Sequence, residues 1–252
     1  MKHYGVFLAM VLAAAATGCG HHGGGNSLKV AAAASVAPCF EELGAAFEAK
    51  TGTSVVVSPS ASGKLAAQII EGAPFDIFAS ADEGWVDKVL KAKKGDPATK
   101  FIYAYGQLVV WSPDGAPTAL VQLTDSSYSH IAVAQPAYAP YGEAAVEAME
   151  KAGIWTQLQP RAVYGSNVLH AYQMAETRNA EVAFTALSLV LNGKGHYYLV
   201  PGDQHKPLAN AAVALNISKH PKKARAFLDF VKSAAGRAIL RKHGLLQQGE
   251  SL

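Results

Sequence analysis

Small and hydroxyl-bearing residues stand at four places where an apolar run of the sequence gives way to a helical pattern. They are Ser35, Ser62, the pair Tyr141 and Gly142, and the triplet Ser166, Asn167 and Val168. The first turn of a helix has backbone N–H groups without intrahelical partners, and the positive end of the helix dipole lies there. Each junction could therefore hold a small anion through neutral donors. Serine and asparagine are also ordinary helix caps, and for each junction taken singly that interpretation stays open.

The elements that would position these junctions alternate between strands and helices. Residues 28–34 form a short apolar run, and Ser35 is the predicted N-cap of the helix that follows. That helix is indicated by an apolar stripe at spacings of 4, 3 and 4, namely Val36, Phe40, Leu43 and Phe47. Further strands are predicted at 55–57, 75–79, 105–111, 131–134, 163–164, 181–185 and 211–215.

This alternation is typical of right-handed βαβ units, in which helices cover both faces of a parallel sheet. Ligands bind outside the carboxyl ends of such strands, which is where the four junctions stand. Periodicity alone leaves open whether the junctions converge on one cleft. From the residues taken by themselves, the chain is an α/β protein with a potential anion cleft.

Composition and charge exclude several classes of protein. The chain has 252 residues, of which 50% are hydrophobic and 16% charged, enough for one large or two modest domains. A net charge of +3 and no Lys/Arg run longer than two residues argue against a nucleic-acid partner. The two cysteines, Cys19 and Cys39, exclude a Cys-rich zinc site and an internal disulfide framework.

Enzyme signatures are missing from the sequence. It contains no Gly-x-Ser-x-Gly elbow and no Ser-x-x-Lys motif, and Gly63-Lys64-Leu65 lacks the remainder of a phosphate-binding P-loop. The nine histidines show no metal-ligand spacing, so we expect no metal site and no cofactor. Asp76 and Asp82 flank a predicted strand end and could form a catalytic pair, although the pattern favours buried salt bridging or capping over that interpretation.

The first residues are interpreted as a targeting signal. Residues 6–16 are apolar but too short to span a bilayer, which takes about 20 residues. The run ends in Ala16-Thr17-Gly18-Cys19, which resembles a bacterial lipobox with Cys19 as the lipid attachment site, while ordinary cleavage nearby is the alternative. We therefore expect a signal peptide at 1–18, a glycine-rich tether at 19–27 and a periplasmic, lipid-anchored protein.

Five segments, in consistent order between about residues 28 and 246, carry a resemblance to a known family. They are AAAAS at 31–35, SASGKLAAQI at 60–69, GAPFDIFASAD at 72–82, APYG at 139–142 and VAFTALS at 182–188. Together they resemble the molybdate-binding proteins of bacterial ABC transporters, which have the type II periplasmic-binding-protein fold.

The resemblance implies an α/β fold of two lobes, each a mostly parallel sheet flanked by helices, with the ligand cleft between them. Lobe 1 would comprise residues 28–105 and 210–252, and lobe 2 residues 106–209. The chain would cross between the lobes near 105–109 and again near 208–213.

The resemblance also implies a set of ligand-binding residues. Ser35 and Ser62 match positions that give a hydroxyl and a backbone N–H to the oxyanion, and Tyr141 and Val168 match positions that give a backbone N–H only. Thr185 falls where some members have a tyrosine whose hydroxyl completes the shell. Threonine is shorter, so Asn167 or water is the alternative source of that last donor.

The implied function is capture of molybdate or tungstate outside the cytoplasm and delivery to the permease subunits of an ABC importer, with molybdenum bound only as the oxyanion. The protein would be a monomer and no enzyme, attached to the membrane only through its lipid. The alternatives are a binding protein for another oxyanion, such as sulfate or phosphate, and a secreted hydrolase that uses Asp76 and Asp82.

Overall fold

The computed structural model describes residues 27–250. The predicted signal peptide, the predicted tether up to residue 26 and the lipid attachment site Cys19 lie outside the described residues. Within 27–250 no helix is both long enough and apolar enough to cross a membrane.

Strands and helices alternate along the described part of the chain. The strands are β1 (Leu28–Ala33), β2 (Val55–Ser60), β3 (Ile77–Ser80), β4 (Phe101–Gly106), β5 (Leu108–Ser112), β6 (Ile131–Ala134), β7 (Ala162–Gly165), β8 (Val182–Ala186), β9 (His196–Leu199) and β10 (Leu208–Ala214). The α-helices are α1 (Ala37–Thr51), α2 (Ser62–Ile70), α3 (Glu83–Lys91), α4 (Pro140–Lys151), α5 (Trp155–Leu158), α6 (Val168–Glu176), α7 (Leu187–Val190), α8 (Pro221–Lys232) and α9 (Ala234–Lys242).

The strands form two five-stranded sheets with the same design. The first has the order β2-β1-β3-β10-β4 and the second the order β7-β6-β8-β5-β9. In the first sheet only β10 runs antiparallel to its neighbours, and in the second only β5 does. The α/β alternation predicted from the residues and the two mostly parallel sheets implied by the resemblance are confirmed.

Alternate residues of a central strand face opposite layers of helices. In β1, Val30 and Ala32 belong to the core beneath α1 and α8, whereas Ala31 belongs to the core beneath α2 and α3. The α1 side is rich in aromatic rings, and Phe47 meets Phe227 edge-on at 5.2 Å. We call the first sheet with α1–α3, α8 and α9 the first lobe, and the second sheet with α4–α7 the second lobe.

The chain passes between the lobes twice. β4 ends at Gly106 in the first sheet and β5 begins at Leu108 in the second, so the single strand predicted at 105–111 is in fact two strands. An apolar run does not specify which sheet it joins, which is why the sequence could not show this break. The return occurs between Leu199 and Leu208, because β10 already pairs with β4 from Leu208 onward. The return therefore lies just before 208–213, the segment expected from the sequence.

The start of α1 differs from the prediction. The N-cap residue is Val36 and no side chain of the described residues caps the helix, so the prediction that Ser35 is the N-cap is wrong. A turn in which the Val36 N–H bonds to the Ala33 carbonyl at 2.9 Å separates β1 from α1. Ser35 lies within this turn, and its side chain is therefore not needed by the helix.

Candidate anion-binding site

A small cavity lies between the lobes, at the carboxyl ends of β1 and β2 and the N-termini of α2, α4 and α6. The first lobe lines it with Ala33, Ala34, Ser35, Ser60, Ala61, Ser62 and Ala81, and the second with Ala139, Pro140, Tyr141, Asn167 and Val168. Residues from all four junctions singled out in the sequence thus meet at one place. Of the five predicted ligand-binding residues, only Thr185 is not part of the lining.

Ser35 brings an unused hydroxyl to the cavity. The residue is 1% exposed, and its Oγ has no hydrogen-bond partner among the described residues. Buried polar atoms are nearly always paired, because the loss of hydration is otherwise not compensated. A buried, unpaired hydroxyl in a cavity wall indicates a place where the protein binds a polar ligand.

Ser62 is the first residue of α2, and its hydroxyl is held in place by the third strand's end. Its Oγ accepts a hydrogen bond from the Ala81 N–H at 3.1 Å, and both residues are buried. Because the oxygen is the acceptor in this bond, the hydroxyl proton stays available for donation into the cavity. Sequence analysis missed the role of Ala81, since no pattern connects two positions 19 residues apart in different elements.

Tyr141 contributes through its backbone at the start of α4. Pro140 precedes it in the first turn and has no N–H, so Tyr141 carries the first amide hydrogen of the helix. Gly142 permits this placement: a Cβ there would lie 2.0 Å from the Ala134 carbonyl oxygen. Any larger residue would push the first turn of α4 away from the end of β6 and move the Tyr141 N–H.

The Tyr141 side chain points away from this role. Its ring is buried, burial raises the pKa of its hydroxyl, and the hydroxyl has no hydrogen-bond partner among the described residues. The hydroxyl lies beside Gly106 at the crossing, where a Cβ would be only 2.1 Å from it. The side chain therefore packs between the lobes, while the backbone N–H of Tyr141 lies in the first turn of α4.

Tyr141→Phe is expected to bind the anion as well as the wild type does and to be equally stable or more stable. The variant keeps the backbone N–H and removes a hydroxyl that lacks a protein partner, whose burial costs about 1–3 kcal/mol. Urea unfolding and calorimetric titration check both parts. A variant destabilised by more than the error of the measurement would show that the hydroxyl has a partner after all.

Asn167 and Val168 form the start of α6. The Asn167 side-chain oxygen accepts the His170 N–H at 2.9 Å, so this junction is a true N-cap. The cap uses the carbonyl end of the amide and leaves its NH₂ group for other partners. Val168 is the first residue of the helix and is buried in the cavity wall.

Thr185 lies behind the cavity wall. It is fully buried in β8, and its Oγ1 donates a long hydrogen bond of 3.4 Å to the Val168 carbonyl. The single hydroxyl proton is thereby directed at the start of α6. In this geometry Thr185 supports Val168, and Asn167 is the side chain of the pair that reaches the lining.

The cavity is electrically neutral. None of the described residues that line it carries a charged side chain. The nearest cation in sequence, Lys64, has its Nζ 4.6 Å from the centroid of the Tyr138 ring. Hydroxyl groups and helix N-termini are thus the means by which this cavity could hold an anion.

Asp76 and Asp82 each have a structural role. Asp76 is buried and accepts hydrogen bonds from the Lys29 N–H at 2.7 Å and from the Ser218 hydroxyl at 2.5 Å. Asp82 is the N-cap of α3 and accepts the Trp85 N–H at 2.9 Å. Burial raises the pKa of Asp82, and the negative charge of Glu143 on the second lobe adds to the shift.

The raised pKa of Asp82 predicts the pH dependence of Asp82→Asn. Between the unfolded pKa and the higher folded pKa, the folded protein keeps a proton that the unfolded chain has lost, so rising pH lowers stability. Asparagine retains the cap and carries no charge. We expect the unfolding free energy of the wild type to fall relative to the variant as pH increases from about 3 to 7, measured by urea unfolding. If the unfolding free energy of the wild type rose relative to that of Asp82→Asn over this pH range, the raised pKa of Asp82 would be contradicted.

Other candidate residues do not form a site. Cys39 is buried, and desolvation raises the pKa of its thiol to about 12, which makes it an inert core residue at neutral pH. Among residues 27–250, no group of three or more His, Cys, Asp or Glu side chains is placed to hold a metal ion.

Comparison with known proteins agrees with this geometry. Residues 28–246 match the family described as bacterial extracellular solute-binding protein. The molybdate-binding protein ModA of Rhodobacter capsulatus is 39% identical over 222 residues, covering 86% of this chain and 87% of that protein.

Two solved structures extend the comparison. The periplasmic molybdate-binding protein of Azotobacter vinelandii superposes with a TM-score of 0.83 at 30% identity, over 87% of this chain and 98% of that one. The sulfate-binding protein SubI of Mycobacterium tuberculosis superposes with a TM-score of 0.76 at 17% identity, over 89% and 88% of the two chains, which shows a common fold only. This chain therefore belongs to the bacterial extracellular solute-binding protein family, as a relative of its molybdate-binding proteins with the type II periplasmic-binding-protein fold that the sequence predicted.

Proposed function

We propose that this protein binds molybdate or tungstate in the cavity between its lobes and delivers it to the permease of an ABC importer. The observation that carries the proposal is the buried hydroxyl of Ser35, which has no partner among residues 27–250 and lies in a cavity that those residues line without charge at the N-termini of α2, α4 and α6. The hydroxyls of Ser35 and Ser62 and the amides of Tyr141 and Val168 are the donors.

The chemistry of the lining favours a fully ionised oxyanion. Hydroxyls and amides donate hydrogen bonds, which suits a tetrahedral dianion such as molybdate or tungstate. Phosphate near neutral pH keeps a proton that needs an acceptor, and the described lining has no carboxylate. Sulfate is also fully ionised and is smaller than molybdate, so its exclusion would depend on cavity size.

The absence of a charged side chain from the part of the lining that the structure describes also suits transport. An ion that must pass to a membrane partner has to be released again, and dipoles bind it without a fixed opposite charge. The named function of the 39% identical relative, molybdate binding, supports this cargo. We further propose that the protein performs no catalysis, since hydrogen bonds already use both carboxylates of the supposed pair, Asp76 and Asp82, for structural purposes.

We propose that the working units are a lobe 1 of residues 28–105 and 210–252 and a lobe 2 of residues 106–209. The protein would act as an extracytoplasmic monomer, attached to the membrane only through a lipid on Cys19, and closure of the lobes on the anion would signal to the permease. Mass spectrometry of the N-terminal peptide from native cells checks the anchor. An unmodified Cys19, or a mature chain that begins elsewhere, would contradict it.

Calorimetric titration of the purified protein with molybdate, tungstate, sulfate and phosphate tests the function. We expect binding of one molybdate or tungstate ion per chain and no heat with sulfate or phosphate. A response to sulfate alone would retain the anion site and change the cargo. If none of the four anions gave binding heat, the junctions would serve only as helix ends.

A further inference from the structure

The walls of the cavity are joined to each other by a hydrogen bond between side chain and backbone. The Ser188 hydroxyl, in α7 of the second lobe, donates to the Ser35 carbonyl of the first lobe at 2.6 Å. The two residues are 153 positions apart in the chain, so the bond exists only where the lobes meet. It uses the Ser35 carbonyl and leaves the Ser35 hydroxyl unpaired in the cavity.

A second contact joins the lobes on the Ser62 side of the cavity. The Gly63 N–H, in the first turn of α2, donates to the Tyr138 carbonyl of the second lobe at 2.9 Å. A Cβ at Gly63 would lie 2.6 Å from the Tyr138 Cβ and 2.6 Å from Cζ2 of Trp85. The approach of the lobes at this point therefore requires glycine.

These contacts adjoin the proposed anion donors in the sequence. Ser35 provides both a donor to the cavity and the acceptor for Ser188, and Gly63 directly follows Ser62. On the second lobe, Tyr138 precedes Tyr141 by three positions. A movement that separated the two walls of the cavity would break both bonds together.

We propose that the Ser188–Ser35 and Gly63–Tyr138 hydrogen bonds form a latch that holds the lobes closed over the bound anion. Ser188 and Gly63 are positioning residues, since neither belongs to the described lining of the cavity. The inference rests on the proposed function, because it specifies how the same site retains its anion.

The latch predicts a kinetic effect with a definite direction. An anion held by both lobes binds tightly only to the closed arrangement. A smaller fraction of protein in that arrangement therefore lowers the apparent affinity for the anion. Loss of one neutral hydrogen bond changes such a population about two- to tenfold. Entry into the open cleft does not involve Ser188, so the change should appear in the dissociation rate.

The experiment compares wild type, Ser188→Ala and the matched control Ser129→Ala, an exposed serine of the second lobe. Stopped-flow mixing with molybdate gives the association and dissociation rates. Small-angle X-ray scattering of the ligand-free and molybdate-bound proteins gives the radius of gyration, and thermal unfolding of the ligand-free proteins reports stability. Gly63→Ala is the second variant, since it adds a Cβ at the other contact.

We expect molybdate to dissociate from Ser188→Ala about two- to tenfold faster, with unchanged association rate and thermal stability, while Ser129→Ala matches the wild type. Gly63→Ala should also release molybdate faster, and its thermal stability should fall because the added Cβ would lie 2.6 Å from Trp85 Cζ2 within the first lobe. A molybdate dissociation rate from Ser188→Ala equal to that of the wild type would overturn the latch. If the wild type bound no molybdate, the proposed function would fail. The latch would then be tested by scattering from the ligand-free proteins alone. A radius of gyration of ligand-free Ser188→Ala equal to that of the ligand-free wild type would overturn it.

Discussion

Ser35→Ala is expected to weaken molybdate binding about ten- to a hundredfold without destabilising the ligand-free protein. The Ser35 hydroxyl is 1% exposed and has no partner among the described residues. A hydrogen bond from a buried hydroxyl to a charged ligand contributes about 1.5–3 kcal/mol, which corresponds to that change in dissociation constant. Its removal leaves no protein group unpaired, so the free energy of unfolding should stay the same or rise.

Calorimetric titration measures the affinity, and urea unfolding of the ligand-free protein measures the stability. Ser60→Ala is the matched control, because Ser60 lines the same cavity but is not among the proposed donors. We expect its effect on affinity to be smaller than that of Ser35→Ala. Equal effects of the two variants would show that the cavity does not use Ser35 as a specific donor.

Ser62→Ala is expected to lose a similar factor of affinity and, in contrast to Ser35→Ala, to unfold more easily. The Ser62 hydroxyl oxygen accepts the Ala81 N–H at 3.1 Å in a buried environment. Alanine removes the donor to the anion and also leaves this N–H without its acceptor. An unpaired buried amide costs about 1–3 kcal/mol of unfolding free energy.

The same two measurements distinguish the serines. Affinity lost with no loss of stability in Ser62→Ala would mean that the Ala81 N–H finds another acceptor. The double variant is informative because both hydroxyls would contact one ion, and residues that share a partner do not act additively. We expect Ser35→Ala and Ser62→Ala together to cost an amount of binding free energy that differs from the sum of the single effects.

Residues that act through local structure were predicted from the sequence with good accuracy. The apolar stripe after Ser35 is a helix, and Phe40, Leu43 and Phe47 are buried in it. The small and polar residues at 62, 141 and 167 do stand at or next to helix starts, because caps and first turns depend on a few neighbouring residues.

Predictions that depended on distant parts of the chain were less accurate. The run at 105–111 is strand-like along its whole length, yet the break at residue 107 places its halves in different sheets. β9 was not predicted, and it is ordered by pairing with β5 at the edge of the second sheet. The direction of the Thr185 hydroxyl toward Val168 depends on how α6 packs on β8, which no local pattern reports.

The sequence by itself determined the α/β alternation, the helix starts at Ser62, Tyr141 and Val168 and, through its resemblance, the family. Hydrophobic periods of 2 and 3.6 residues and short-range capping decide the alternation and the helix starts, because both depend only on residues close in sequence. Only the tertiary structure decided that the donors share one cavity, that Ser62 is held by Ala81, and that Ser188 reaches Ser35 across 153 residues. Such contacts form when two independently built sheets pack against each other, so their geometry belongs to the packed lobes and not to any segment of the chain.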